Sequence, residues 1–343
     1  MKQAGTVTVL VSVLALSLFL ALTAGSVSIP AGTVAAILLN KLTGLTTADW
    51  LPNQAAIVLH LRLPRVLLAA LVGGTLALAG AVLQGLFRNP MADPGLIGVS
   101  GGGALGAVVA LVTGLTAQSL WSLPVLAFGG AALATWLIFR LATAHGRTPF
   151  TTLLLAGLAV SAFLSAMTSL LLSLAKDIYV LREVLFWLLG GLDGRGWAHL
   201  WIALGPAMLG SALVLWFADG LNILSASGEA GARSLGIDMD QLKRRLLALT
   251  ALMTGAVVSV SGIIGFVGLI VPHVVRLLTG PDHRTLLPAS VAGGAAFLIW
   301  ADLLTRILVP SQELRLGVVT AFVGAPFFIV LLQRYRSQAE ALS

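Results

Sequence analysis

The chain has 343 residues, of which 58% are hydrophobic and 10% charged, and it contains no cysteine. A soluble core of this length needs far less apolar surface, so composition excludes a soluble globular domain, and the missing cysteine excludes disulfides, thiolate metal sites and a thiol nucleophile. The net charge of +7 would favour nucleic acid in a soluble protein, but here Lys and Arg flank apolar runs, so they serve topology and no nucleic-acid partner is expected.

A bilayer core of ~30 Å takes about 20 apolar residues as a helix. Residues 6–26 form the first such run, read as a retained span rather than a cleaved signal. Segment 27–62 is expected to carry a short surface helix from Pro30 to Asn40, and 66–87 is the second span. No formal charge occurs between Asp93 and Arg140, a stretch that fits two helices, 96–115 and 119–139, turning near Thr113–Ser119. Spans at 150–175 and 196–218 follow, with another surface helix near Leu181–Leu189 between them. Residues 219–242 form the largest inner loop. The stretch from Leu246 to Val275 is long for one span and short for two, and Gly262, Gly265, Gly268 and Pro272 interrupt it. It reads as a full span and a broken one, whose turn must be buried in protein or line a cavity. Spans at 286–305 and 316–333 bring the total to about ten. The expected fold class is therefore all-α: a polytopic membrane protein, with residues 1–343 as a single transmembrane domain.

Basic residues set the orientation. With the N-terminus in the cytoplasm, Lys2, Arg88, Arg140, Arg147, Arg233, Lys243, Arg244, Arg245, Arg276, Arg284, Arg334 and Arg336 fall inside, and the C-terminus follows. Lys41, Arg62, Arg65, Lys176, Arg182, Arg195, Arg306 and Arg315 fall outside, a number that points to an acidic partner on that face. Small residues at Gly73, Gly74, Gly80, Gly98, Gly102 and Gly106 have the spacing of close helix packing in lipid.

No lysine follows the glycine pattern of a phosphate-binding loop, and neither HExxH nor GxSxG occurs. The histidines, His60, His145, His199, His273 and His283, sit at span ends and read as interfacial or capping groups rather than metal ligands. Asp302 is the clearest acid within a span, and Arg306 one turn later is its expected local partner. An ion-coupled carrier needs ionisable groups near the midplane; this chain offers almost none, so its energy is expected from a partner. Ser161, Ser165, Thr168 and Leu172 form a mildly polar stripe, which fits either a translocation path or back-bonding of hydroxyls to the helix.

Several motifs occur in a telling order: Leu61-Arg62-Leu63-Pro64-Arg65, then Arg88-Asn89-Pro90-Met91-Ala92-Asp93-Pro94-Gly95, Gly265-Phe266-Val267-Gly268, Val271-Pro272-His273, Asp282-His283-Arg284, and Leu316-Gly317-Val318-Val319-Thr320. Together they resemble the FecCD family, the permeases of type II ABC importers for iron–siderophores, haem and cobalamin, over residues 60–335. Phe186-Trp187-Leu188-Leu189-Gly190-Gly191-Leu192-Asp193 looks most like the haem-importing branch.

The resemblance implies a homodimer of ten-helix subunits in a bacterial inner membrane, with the path on the dimer axis. It implies two separate ATPase subunits inside, which hold ATP and magnesium, so this chain carries no cofactor and is not itself an enzyme. A periplasmic binding protein would dock outside on Arg62, Arg65 and Arg306, whose forks suit carboxylates; headgroup contact, or an internal pair with Asp302, is the competing reading. The segment Ser227-Gly228-Glu229-Ala230-Gly231-Ala232-Arg233-Ser234-Leu235-Gly236 resembles the coupling helix that rests on the ATPase. Phe150 and Thr151, after Arg147, match the inner gate. Arg315 stands where an apolar or proline-like residue is usual, and carries less weight as a docking residue.

Overall fold

The computed structural model describes residues 2–25, 27–44, 50–143, 148–308 and 314–342; His145 and Arg147 lie outside the described residues. Every regular element among these is helical. Helix α1 (Lys2–Thr23) is apolar along its length. Helix α2 (Ala31–Thr43) is the expected surface helix, and it stops at Gly44, whose φ of 69° favours glycine.

The second span is longer than the sequence indicated. Helix α3 (Pro52–Ala56), a π turn (Ile57–Arg62) and α4 (Leu63–Phe87) run on as one 36-residue helix. The π turn has a cause in the sequence. Pro64 has no N–H to give and its ring crowds the carbonyl four residues back, so the ladder shifts and Leu63 N–H bonds Val58 O instead.

Helix α4 is the axis of the bundle. Gly73 meets the backbone of Gly294 in α13 (His283–Leu308), and Gly80 meets that of Gly268 in α12 (Val267–Thr279). A Cβ at either glycine would overlap a carbonyl, so backbone packs on backbone. Gln84 adds side-chain bonds to the carbonyls of Gly268 and Leu269 at 3.1 and 3.2 Å. A second close pair joins α5 (Val99–Val112) to α6 (Ser122–Ala142): Gly102 meets Gly130, and Gly106 meets the Leu126 carbonyl.

The remaining helices are α7 (Phe150–Leu174), α8 (Ile178–Leu188), α9 (Trp197–Leu215), α10 (Ala218–Ser234), α11 (Met239–Ser261) and α14 (Leu316–Leu342). Most of the expected inner loop 219–242 is therefore helical. Between α11 and α12 the chain breaks where it was expected to, with Gly262 and Phe266 both at φ 68°. The break is covered by protein. Gly191 N–H bonds Ser261 O at 2.8 Å, and Gly317 N–H bonds Gly190 O at 3.3 Å, so the ends of α8 and α14 dock onto it. Irregular backbone at membrane depth requires such cover.

Eight helices among the described residues are long and apolar enough to cross a membrane, and the apolar α5 and α12 are shorter. Both lie where the sequence placed spans, and α2 is a third short apolar helix. Within the chain, 83% of the α4 span is buried, against 22% for α7 and 22% for α14. Helices α7 and α14 therefore present most of their apolar surface outwards, to lipid or to a second protein surface.

Candidate sites at the two ends of the bundle

Arg62 precedes the first residue of α4 and Phe87 is its last, so these two residues mark opposite ends of the bundle. At the first end the structure gathers Arg62, Arg65 and Arg306, as their positions implied. Their guanidinium groups are engaged within the chain. Arg62, 6% exposed, donates to Leu22 O at 2.7 Å, to Thr23 O at 3.0 Å and to Val27 O. Arg65 grips Asp193 at 2.7 Å and Asp302 at 2.8 Å. Arg306 pairs with Asp302 one turn back at 3.2 Å and donates to Ala21 O at 3.2 Å. The three arginines are thus pinned; for Arg65 and Arg306 this is the internal pairing with Asp302 that the sequence left open. A charge taken out of water needs such partners.

Sequence reasoning missed Asp193, which bridges Arg65 to Arg315 (3.2 Å) and has no counterpart in local spacing. Arg315 also lies 3.5 Å above the Phe186 ring, a cation–π contact. Next to it, Arg195 Nη1 lies 3.1 Å from His199 Nε2. Phe186, Trp187, Arg195, His199, Arg315 and Glu183 share the wall of a cavity of about 670 Å³. Among the described residues, neither Trp187 Nε1 nor Arg195 Nε has an acceptor.

At the opposite end lies α10. Gly228 (φ 72°, ψ −179°) kinks it, and the Arg88 guanidinium fills the space beside that glycine. The expected coupling segment is well presented: Ser227, Glu229, Ala230, Arg233, Leu235 and Gly236 are exposed, while Gly228 is buried. Leu235, at 67% exposure, is an apolar tip that suits a partner's groove. Before the kink, Asp219 pairs with Arg284 (2.5 Å) and Asn222 with Asp282 (2.7 Å), which ties α10 to the start of α13. After the kink, Glu229 reaches Lys243 and Arg233 reaches Asp240 (2.9 Å), both on α11.

Phe150 is the first residue of α7, after Pro149 sets the helix entry. Its ring lies 4.6 Å from that of Phe87 at the end of α4, and Thr151 beside it is exposed. The polar stripe on α7 does not share one environment. Thr168 is buried, Leu172 packs with Val108 and Val184, and Ser161 faces Gly101 of α5. Ser165 alone of the four is exposed, in a row with Ala162, Ser169 and Ser173. The outward small-residue face is thus rotated from the expected one. The sequence gives spacing but not the direction in which α5 lies.

The sequence profile of the FecCD transport family matches residues 13–334. The chain belongs to that family. It is 47% identical over 284 residues to the cobalamin import system permease of Halobacterium salinarum, covering 82% of this chain and 75% of that one. It is 43% identical over 284 residues to the hemin transport system permease of Yersinia pestis, covering 82% and 84%. Among solved structures it resembles a metal-chelate type ABC transporter in an inward-facing conformation, with a TM-score of 0.81, 32% identity, and 96% and 98% of the two chains covered. The chain is accordingly an ABC importer permease of the FecCD family.

Proposed function

We propose that this permease imports haem, as a homodimer that works with two separate ATPase subunits and a periplasmic binding protein in a bacterial inner membrane. The observation that carries the substrate is the cavity at the arginine end. Its wall sets the half-buried Phe186 beside Arg195 and Arg315, an apolar surface next to positive charge that suits a flat ligand carrying carboxylates.

The binding protein docks at this same end. Arg65, Arg306 and Arg315 form the salt-bridged cluster with Asp193 and Asp302, and Arg62 and Arg195 lie at the same end with Glu183, so the face is net positive although most of its forks are engaged internally. Such a field steers an acidic partner without a free fork for each carboxylate. The sparsely covered α7 and α14 supply the dimer interface and the path between the copies, with the face bearing Ser165 towards the axis. ATP closure reaches the chain through α10 and alters the Phe87–Phe150 contact.

Cobalamin is the second reading, because the relative from Halobacterium salinarum is named for it; an iron–siderophore is the third. Purified dimer in nanodiscs with its ATPase, mixed with hemin, decides between them. Binding with a shifted Soret band, resisted by excess cobalamin, supports haem. A flat spectrum with hemin, together with uptake of cobalamin, overturns it. Uptake driven by an ion gradient without the ATPase would return the chain to the class of secondary carriers.

A further inference from the structure

Lys243 sits in the first turns of α11 yet points inwards, at 5% exposure. The sequence offered it only as a basic flank. Its ammonium touches two separate segments: Glu229 Oε1 at 2.5 Å and the Thr148 carbonyl at 3.4 Å. Glu229 is the residue after the Gly228 kink in α10. Thr148 precedes Pro149, which caps α7, and Phe150 follows. A cavity of about 500 Å³ otherwise lies between these segments, walled by Thr148, Phe150, Glu229, Ala230, Arg233 and Lys243.

The chemistry suits a mechanical link. An ammonium is a compact charge with three donors on a flexible stem, so it can hold acceptors that approach from different directions, which a planar guanidinium does less well. Withdrawn from water, it cannot release one acceptor without cost, so movement of Glu229 draws on Thr148. The second tie between α10 and α11, Arg233–Asp240, is more exposed, at 42% and 24%, and does not reach α7.

We propose that Lys243 is a positioning residue: a strut that carries displacement of the coupling segment to the α7 gate. This rests on the coupling and gate roles given above. It predicts that breaking the strut separates ATP hydrolysis from gate movement, because the two sites are coupled only through an element that both bias.

The absence of cysteine in the chain makes a clean test possible. Thr151→Cys places one thiol per permease copy at the gate of the assembled importer, and its labelling rate is followed with and without ATP and vanadate. With Lys243 in place the rate should change by about threefold or more, the size of a modest population shift. With Lys243→Met it should not respond, while ATP hydrolysis continues and cargo uptake is lost. Lys243→Arg should respond only in part. Glu229→Gln keeps the shape of a half-exposed side chain and, once co-purification shows that the ATPase still binds, provides the same readout if Lys243→Met does not assemble. A full labelling response in both Lys243→Met and Glu229→Gln overturns the strut. No response in the Lys243 parent overturns the gate reading itself.

Discussion

Asp302 accepts Arg65 from across the bundle, with Nε at 2.9 Å and Nη2 at 2.8 Å on the same carboxylate oxygen. Helices α4 and α13 are thus joined by charge at one end and by Gly73 against Gly294 deeper in. The Asp302 carboxylate is 1% exposed and also faces Arg306. Removing one member of a buried ion cluster strands the others, typically at about 3–5 kcal/mol. Asp302→Ala should therefore lower the thermal unfolding midpoint in detergent markedly, with Arg65→Met and Asp302→Leu together milder than Asp302→Ala. Comparison of the three by thermal scanning and size exclusion checks this.

Gly80→Ala should be worse than an average small-to-large change. The new Cβ would enter the carbonyl of Gly268, and backbone cannot swing aside as a side-chain tip can. Overpacking costs about 1–3 kcal/mol and forces helices apart. Gly129→Ala is the control, because a Cβ there meets nothing within 4 Å. Yield of folded protein and midpoint temperature should fall for the first and not for the second.

Phe150→Ala should loosen the end of the bundle where Phe87 lies. An aromatic pair contributes about 0.5–1.5 kcal/mol beyond its buried area. Liposomes holding the assembled importer and preloaded with cargo should then leak without ATP. Leakage equal to that of the parent chain would show that this contact does not seal the path.

Asp282 supplies the pH dependence. Its carboxylate accepts the Arg284 N–H at 3.0 Å and an Asn222 amide at 2.7 Å, and these bonds hold it below the usual carboxylate range. A group with a depressed native pKa contributes stability that is present above its unfolded pKa and lost as pH falls through the native value. The stability that Asp282 contributes should therefore be level from neutral pH down to about pH 4, the ordinary range for Asp, and be lost below it. Asp282→Asn should flatten that decline, as read from midpoint temperatures across a pH series.

Much of this arrangement was legible in the residues themselves. The ten membrane helices follow from runs without charge, and the break at Gly262–Phe266 from a length that fits neither one span nor two. The exposed helical segment before Gly236 was legible in that glycine stop and in the family motif. Asp193 and Lys243 were not, because each acts through partners far away in sequence: Asp193 through Arg65 and Arg315, Lys243 through Thr148. Charge near a span end reads as topology until the opposing group is seen. For the stripe on α7, periodicity fixes which residues share a face but not what that face meets.

The glycine contacts along α4 also limit how this protein can move. Side chains that interdigitate can slip by a rotamer, but two backbones pressed together at Gly73–Gly294 and Gly80–Gly268 have no soft coordinate left. Helices α4, α12 and α13 therefore travel as one keel. Movement during a cycle is then expected about that keel, in helices the chain itself covers less, such as α7 and α14.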